Sequence, residues 1–280
     1  MTAQPARPAP PTTSPATSST RSPADTPRLG FGGLVASESL KARGLRSTWW
    51  LLSLALLVPV LVALVTALTG RSDVTDADTA LAEAVGAVTD TNYLGLLLLV
   101  VLGTIVGTAE YERGAVLTTF AVVPRRVPVV LAKVVVVAVA ALVVSVVSGV
   151  VSFLVAALVL GHGSPGGITD PVVLRVLAGT AFYQAAAAVI ALAFGLVVRS
   201  SAGGIAATLG FLYVVPALLQ AIPVDAVGRF ARSLPGPEGT VLELPSGADG
   251  ATLAWSVLAV VAWTAVVVAG ACAVVRRRDV

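Results

Sequence analysis

Six long stretches of the chain are apolar and hold no Asp, Glu, Lys, Arg or His. They span residues 49–70, 92–108, 134–160, 176–198, 201–222 and 251–275. A helix needs about 20 apolar residues to cross a hydrocarbon core of roughly 30 Å. A soluble fold could not hide the apolar surface of a chain that is 56% hydrophobic and only 12% charged. The pattern therefore predicts an all-α integral membrane protein with six transmembrane helices, and five or seven are the lower-ranked alternatives.

The charges of the connecting segments predict the orientation of these helices. Residues 71–91 carry five acidic side chains and a single basic one, whereas residues 109–133 contain Arg113, Arg125, Arg126 and Lys133. Because Lys and Arg accumulate in cytoplasmic loops, the first segment is predicted outside and the second inside. Arg199 and the final Arg276–Arg278 then also lie inside. The N- and C-termini are predicted to be cytoplasmic, in a multi-pass protein of the cytoplasmic membrane.

The region before the first span divides into two parts. Residues 1–30 are rich in Pro, Ser and Thr and nearly lack aliphatic side chains, which predicts a disordered cytoplasmic tail. Residues 31–48 mix apolar and basic side chains and lead into a tryptophan pair, which predicts an interfacial elbow helix on the cytoplasmic membrane surface. The six-helix transmembrane domain then occupies residues 49–280.

The sequence lacks the residue patterns of several function classes. His162 and Cys272 are the single histidine and cysteine, so no His-Glu-x-x-His motif, catalytic pair or metal cluster is predicted. Lys41 and Lys133 do not belong to a phosphate-binding loop, and no cofactor site is predicted. A net charge of +3 without a basic stripe does not indicate a nucleic-acid partner. Spans without ionisable groups also disfavour a proton-driven transporter.

The segment between the second and third spans has a pattern of its own. Charged residues flank an apolar stretch, 115–123, that is too short to cross the bilayer. Gly114 and Pro124 are typical helix stops, so a short cytoplasmic helix is predicted between them. The alternative is a solvated loop that its arginines anchor.

Three segments of the sequence resemble permeases of type-2 ABC transporters, in particular those of actinobacteria. The segments are 38–50 (ESLKARGLRSTWW), 110–126 (EYERGAVLTTFAVVPRR) and 276–279 (RRRD). The resemblance covers residues 34–280. It implies a six-helix permease that dimerises, as a homodimer or heterodimer, and binds two copies of a separate cytoplasmic ATPase.

The resemblance also implies roles for two sets of residues. The ATPase-coupling set is Glu110, Tyr111, Glu112, Arg113, Gly114, Thr118, Thr119, Pro124, Arg125 and Arg126. The elbow set, in contact with membrane lipid, is Glu38, Lys41, Arg43, Arg46, Trp49 and Trp50. The expected function is export of an amphipathic or lipid-like substrate. A non-transporting accessory or anchor subunit and a lipid-acting membrane enzyme are the alternatives.

Smaller features give further expectations. The resemblance implies that residues 223–250 match the family's partly re-entrant outer helices. Apolar residues at helical intervals within 224–234 suit an interfacial helix. Small residues at helical spacing, such as Gly103 and Gly107, predict close helix packing within or between chains. Tyr183, Gln184 and Gln220 are predicted to make interhelical hydrogen bonds or to anchor the spans at the interface, rather than to contact substrate.

Overall fold

The computed structural model describes residues 30–70, 77–112, 126–161, 165–243 and 249–277, and its regular structure is helical. The helices are α1 (Phe31–Arg43), α2 (Arg46–Gly70), α3 (Ala77–Glu112), α4 (Arg126–Leu160), α5 (Pro171–Val198), α6 (Ser201–Leu209), α7 (Val215–Gln220), α8 (Asp225–Arg232), α9 (Pro235–Glu243) and α10 (Gly250–Arg277). A 3-10 turn, Pro165–Thr169, precedes α5, and a π-helical turn, Gly210–Val214, joins α6 to α7.

Six helical segments of the described chain are long and apolar enough to cross a membrane, which confirms the predicted number. They are α2, α3, α4, α5, the continuous α6–α7 unit and α10. Exposed side chains on these helices are largely apolar. On α2 they are Leu54, Leu57, Leu61, Val65 and Leu68, which share one helical face. Such a face is stable against lipid and would be unstable in water.

The second span is longer than the sequence pattern predicts. The apolar run predicts a start at residue 92, after an outer connection, whereas α3 begins at Ala77. Ala80, Ala84 and Val88 lie at helical spacing and are buried. They belong to a core that also contains Ala63 of α2, Phe153 of α4 and Val173 of α5. This packing stabilises residues 77–91 as a helix despite their acidic side chains.

Helix α5 lies at the centre of the bundle. It contacts α3, α4, α6, α9 and α10, and most of its side chains between Val173 and Leu196 are buried. Neighbours approach it closely at small residues. A Cβ atom at Gly103 would clash with the carbonyl of Ala188, and one at Gly107 would lie 2.5 Å from the Leu192 carbonyl oxygen. The Gly103–Gly107 pair therefore packs within the chain, against α5.

A tight turn joins α5 to the next span, as the two-residue spacing between the apolar runs predicts. Arg199 adopts the left-handed conformation, with a φ of 60°, and its N–H donates to the Gly195 carbonyl at 2.9 Å. Ser200 caps α6, because its side chain accepts a hydrogen bond from the Gly203 N–H. The two spans are thus antiparallel neighbours.

Two short helices connect α7 to α10. Most of α8 is exposed and strongly amphipathic, with Val224 and Phe230 at the surface. In contrast, α9 packs against α5 and α10 and has both of its glutamates buried. The Trp263 indole N–H of α10 donates to the Ser233 carbonyl between α8 and α9 at 2.8 Å. The connection therefore contains one surface helix and one that turns back into the bundle.

Candidate functional site

Helix α3 ends at Glu112 and α4 begins at Arg126, and both points lie at one end of the molecule. The spans alternate in direction, so the same end also holds α1, the Arg199–Ser200 turn and the last turn of α10. We call this end the basic end, because it carries Lys41, Arg43, Arg46, Arg199, Arg276 and Arg277 among its described residues. Its surroundings are the candidate site.

The described chain includes part of the predicted coupling set. Glu110, Tyr111 and Glu112 form the last turn of α3, and Arg126 begins α4. Arg113, Gly114, Thr118, Thr119, Pro124 and Arg125 lie outside the described residues. The short helix predicted between Gly114 and Pro124 lies there as well. The structure therefore defines the two attachment points of the predicted segment.

The last turns of α3 contact the turn between α5 and α6. The Arg199 guanidinium lies over the Tyr111 ring, 4.7 Å from its centroid, and the Thr108 and Ser201 hydroxyl oxygens are 2.7 Å apart, within hydrogen-bond distance. Below these contacts, a Cβ atom at Gly204 would lie 2.5 Å from Thr104 Cγ2. Helices α3, α5 and α6 are therefore in close contact near the end of α3.

The first turns of α4 contact α1 through a buried ion pair. Lys133 Nζ donates to Glu38 Oε2 at 2.5 Å, and Lys41 Nζ donates to Glu38 Oε1 at 2.7 Å. Both Glu38 and Lys133 are buried. Leu34, Val129 and Ala132 form an apolar cluster between the two helices. The ion pair and this apolar cluster together connect α1 with the second turn of α4, and removal of either charged partner would leave a buried charge that is not fully compensated.

The predicted elbow segment forms two pieces. α1 ends at Arg43, where the Gly44 N–H donates to the Leu40 carbonyl at 3.0 Å, and Arg46 already belongs to α2. The indole N–H of Trp49 donates to the Arg43 carbonyl at 2.9 Å. This bond satisfies one of the open carbonyls at the end of α1. Trp50 is 71% exposed, and its position one turn into α2 suits the membrane interface.

Sequence reasoning did not assign a role to Lys133. It lies 95 residues from Glu38 along the chain, and no local pattern pairs the two. A lysine in the second turn of a long apolar helix was the available signal, because a buried cation requires a partner.

The polar residues predicted inside the spans have different surroundings. The Ser145 hydroxyl of α4 donates to Gln184 Oε1 of α5 at 2.6 Å, which confirms an interhelical hydrogen bond for Gln184. Tyr183 is buried, and its ring packs against Gly239 of α9. Gln220 is exposed at the end of α7.

The opposite end of the bundle contains two buried carboxyl groups that the sequence analysis did not single out. Glu238 accepts hydrogen bonds from the Trp255 indole at 3.1 Å and the Ser256 hydroxyl at 2.6 Å, both on α10. Burial raises the pKa of Glu243 from 4.5 to about 8. Glu243 Oε1 has no hydrogen-bond partner within the described chain. A neutral carboxyl group is therefore favoured at Glu243 at neutral pH.

Within the described residues, no group of three or more His, Cys, Asp or Glu side chains is placed to hold a metal ion. At the basic end, the end of α3 and the first turns of α4 are each in specific contact with a neighbouring element: Tyr111 with Arg199, and Lys133 with Glu38.

A family model described as ABC-2 family transporter protein matches residues 34–217, from α1 into α7. The matched region includes both attachment points and the segment between them. No curated protein and no solved structure matches the chain.

Proposed function

This chain belongs to the ABC-2 family of transporter proteins, and from that premise we propose that it is an exporter subunit driven through the segment 110–126. As a member of the family it is the permease of an ABC transporter, a multi-pass protein of the cell membrane. The permease is not itself catalytic, and ATP hydrolysis belongs to a separate ATPase subunit with which it associates.

In the proposed mechanism, the basic end faces the cytoplasm and the segment 110–126 contacts the ATPase. Two ATPase copies serve a dimer of permease chains, which pairs with itself or with a relative. ATP-driven closure of the ATPase dimer moves the segment, and its attachments transmit the motion into the bundle. The excess of cationic side chains at the basic end supports this orientation.

The observation that carries the proposal is a pair of attachments close to the two ends of the segment. On one side Tyr111 contacts Arg199, and on the other Lys133 pairs with Glu38. A segment that transmits force needs stiff connections at both of its ends, because a loosely held helix end would absorb the displacement. The structure has a specific polar or cationic contact at each end, in addition to apolar packing.

The proposed substrate is amphipathic or lipid-like. A groove of about 460 Å³ between α4, α5 and α10 is lined by apolar side chains, with Thr264 as its polar exception. Such a surface favours hydrocarbon chains over ions or sugars, whose transfer from water would be costly. The groove supports this substrate class and does not specify one molecule.

The test uses the tagged chain with the ATPase that copurifies from its native membrane, reconstituted in proteoliposomes. The variant Arg125→Glu/Arg126→Glu reverses two charges in the segment. We expect normal membrane insertion and loss of permease-stimulated ATP hydrolysis. The matched control is Arg276→Glu/Arg277→Glu, which reverses two charges at the same end but outside the segment. Stimulation that survives in the segment variant would refute its role in coupling.

A second variant pair tests the attachment on α3. Tyr111→Leu removes the aromatic face beneath Arg199 and should lower stimulated hydrolysis, whereas Tyr111→Phe retains that face and should keep it. Equal stimulation in the two variants would show that the contact does not contribute to coupling. A non-transporting accessory subunit would copurify with the ATPase and leave substrate on its original side of the vesicle membrane.

A further inference from the structure

A second groove lies at the basic end, between α1, α2 and α4. Its volume is about 380 Å³, and Ser39, Arg43, Thr48, Val135, Val139 and Val143 are among its lining residues. It is separate from the segment 110–126 and from the groove between α4, α5 and α10, although Val139 borders both grooves.

The polarity of this groove changes along its length. Its polar residues, Ser39, Arg43 and Thr48, belong to α1 and the first turn of α2, at the level of the membrane interface. Its α4 wall is Val135, Val136, Val139, Ala140, Val143 and Val144. From Val135 to Val143 this wall extends about 12 Å away from the basic end, at 1.5 Å per residue. The groove therefore has a polar mouth and an apolar channel that reaches toward the bilayer centre.

Within the part of the chain that the structure describes, the hydroxyl group of Thr48 lacks a hydrogen-bond partner. Thr48 is 7% exposed, and its Oγ1 makes no hydrogen bond within the described chain. Most buried hydroxyl groups are hydrogen-bonded, since an unpaired one carries a desolvation penalty. An oxygen atom of a bound molecule at the polar mouth would satisfy this donor.

The charge at the mouth is positive. Glu38 is the acidic residue there, and it already accepts hydrogen bonds from Lys41 and Lys133. Arg43, which lines the groove, and Arg46, three residues further along the chain, are exposed, and no ion pair involves either of them among the described residues. An anionic group is therefore attracted to the mouth, while the apolar channel excludes a small hydrophilic anion.

We propose that this groove binds one anionic phospholipid from the adjacent leaflet, with its phosphate at Arg43 and Thr48 and one acyl chain along Val135–Val143. Each part of the lipid meets a matching surface: a cation and a hydroxyl donor for the headgroup, and valine side chains for the hydrocarbon. The bound lipid fills the space between α1 and the bundle, and so stabilises the elbow.

Native mass spectrometry of the full chain, purified and delipidated in detergent, tests the proposal without the ATPase. The protein is titrated with equal concentrations of dioleoylphosphatidylglycerol and dioleoylphosphatidylcholine. We expect a first adduct with the anionic lipid. Arg43→Gln should reduce the preference for this lipid about five-fold, because a basic residue near an anionic lipid surface contributes about 1 kcal/mol.

Matched variants separate the groove from general lipid binding. Val143→Trp should fill the channel and abolish the first adduct, whereas Val147→Trp lies one turn further along α4, outside the groove lining, and should retain it. Arg277→Gln removes a cation of the basic end that does not line the groove and should leave the preference unchanged. If Val143→Trp does not fold, Thr48→Val provides the second test and should also weaken the adduct.

Several outcomes would overturn the proposal. Equal binding of the two lipids would exclude a charge-selective site, and equal adducts in Val143→Trp and Val147→Trp would exclude the channel. Displacement of the lipid by free glycerophosphoglycerol would indicate a headgroup site that does not use the acyl chain. Conversion of a dimer to a monomer by Val143→Trp, with the adduct unchanged, would identify the groove as an interface between copies.

Discussion

The buried ion pair between α1 and α4 allows a quantitative prediction. Lys133→Met removes one of the cations that contact Glu38 and leaves Lys41, whose side chain is 44% exposed. The methionine side chain is similar in length to lysine and can occupy the apolar surroundings formed by Leu34 and Val129. The buried Glu38 carboxylate then keeps the half-exposed Lys41 as its ion-pair partner in the structure.

The magnitude follows from the burial of the pair. Removal of one partner from a fully buried ion pair costs about 3–5 kcal/mol, because an uncompensated charge remains. Lys41 compensates Glu38 partly, so we expect a loss of about 2–3 kcal/mol in the free energy that holds α1 on α4. This loss corresponds to a roughly 30- to 150-fold increase in the population of detached α1.

Hydrogen–deuterium exchange of α1 amides, measured in detergent, reads this population directly. We expect exchange of Phe31–Arg43 in Lys133→Met to accelerate by up to that factor, with α5 unchanged. Lys41→Met is the matched control. Because the Lys41 cation is half exposed, its loss should change the free energy of α1 detachment, as derived from exchange, by less than about 1 kcal/mol. The double variant Glu38→Leu/Lys133→Met removes both charges and should restore most of the protection.

Two results would refute this reasoning. If Lys133→Met and Lys41→Met accelerate exchange equally, burial does not strengthen the Lys133 contact. If the double variant is as labile as Lys133→Met, the loss arises from altered packing and not from an unpaired carboxylate.

Two further predictions concern other parts of the bundle. The pKa of Glu243 in the folded chain is about 8 against 4.5 otherwise, so the folded state binds the proton more tightly and stability should fall as pH rises from about 4.5 to 8. Glu243→Gln should flatten this fall, measured as melting temperatures at pH 5 and pH 8, and an unchanged slope would contradict it. Gly107→Ala, whose Cβ would lie 2.5 Å from the Leu192 carbonyl oxygen, should destabilise the chain by about 1–3 kcal/mol. The control is Gly270→Ala, whose Cβ meets open space on α10, so its free energy of unfolding should stay unchanged or rise by up to about 1 kcal/mol. Equal losses of stability in the two variants, measured by thermal unfolding, would contradict the close α3–α5 packing.

The spans could be predicted from the sequence because lipid imposes one strong requirement on all of them. The boundaries of α3 could not be predicted in this way. A count of charges over a segment does not distinguish the exposed face of a helix from its buried face. Asp78, Glu83 and Asp90 are exposed, while Ala84 and Val88 of the same segment are buried. The alternation of small and charged residues at helical spacing was the signal that the charge count obscured.

The local sequence at the start of the buried helix α9 does not indicate a helix. Pro235-Gly-Pro-Glu-Gly239 is typical of a loop, yet these residues begin a helix against α5 and the π-helical turn. A Cβ atom at Gly236 would clash with the Leu212 carbonyl, and one at Gly239 with the Tyr183 ring. The glycines serve close packing here, and that use depends on tertiary neighbours that no local pattern specifies.

The candidate site could be predicted in part. The resemblance located the segment 110–126 and the elbow residues, and the role of this segment in coupling stays a prediction. The attachments at its ends are contacts between distant parts of the chain, Tyr111 with Arg199 and Glu38 with Lys133. Neither pair lies within one helix, so only the tertiary structure brings them together.

The uninterrupted course of α3 has a mechanical consequence. Its 36 residues extend about 54 Å, so a single rod connects the acidic side of the membrane with the residues that lead into the segment 110–126. A tilt of about 10° around its midpoint would displace each tip by about 5 Å in opposite directions. A displacement of Glu112 would therefore be carried toward the far surface by one continuous helix.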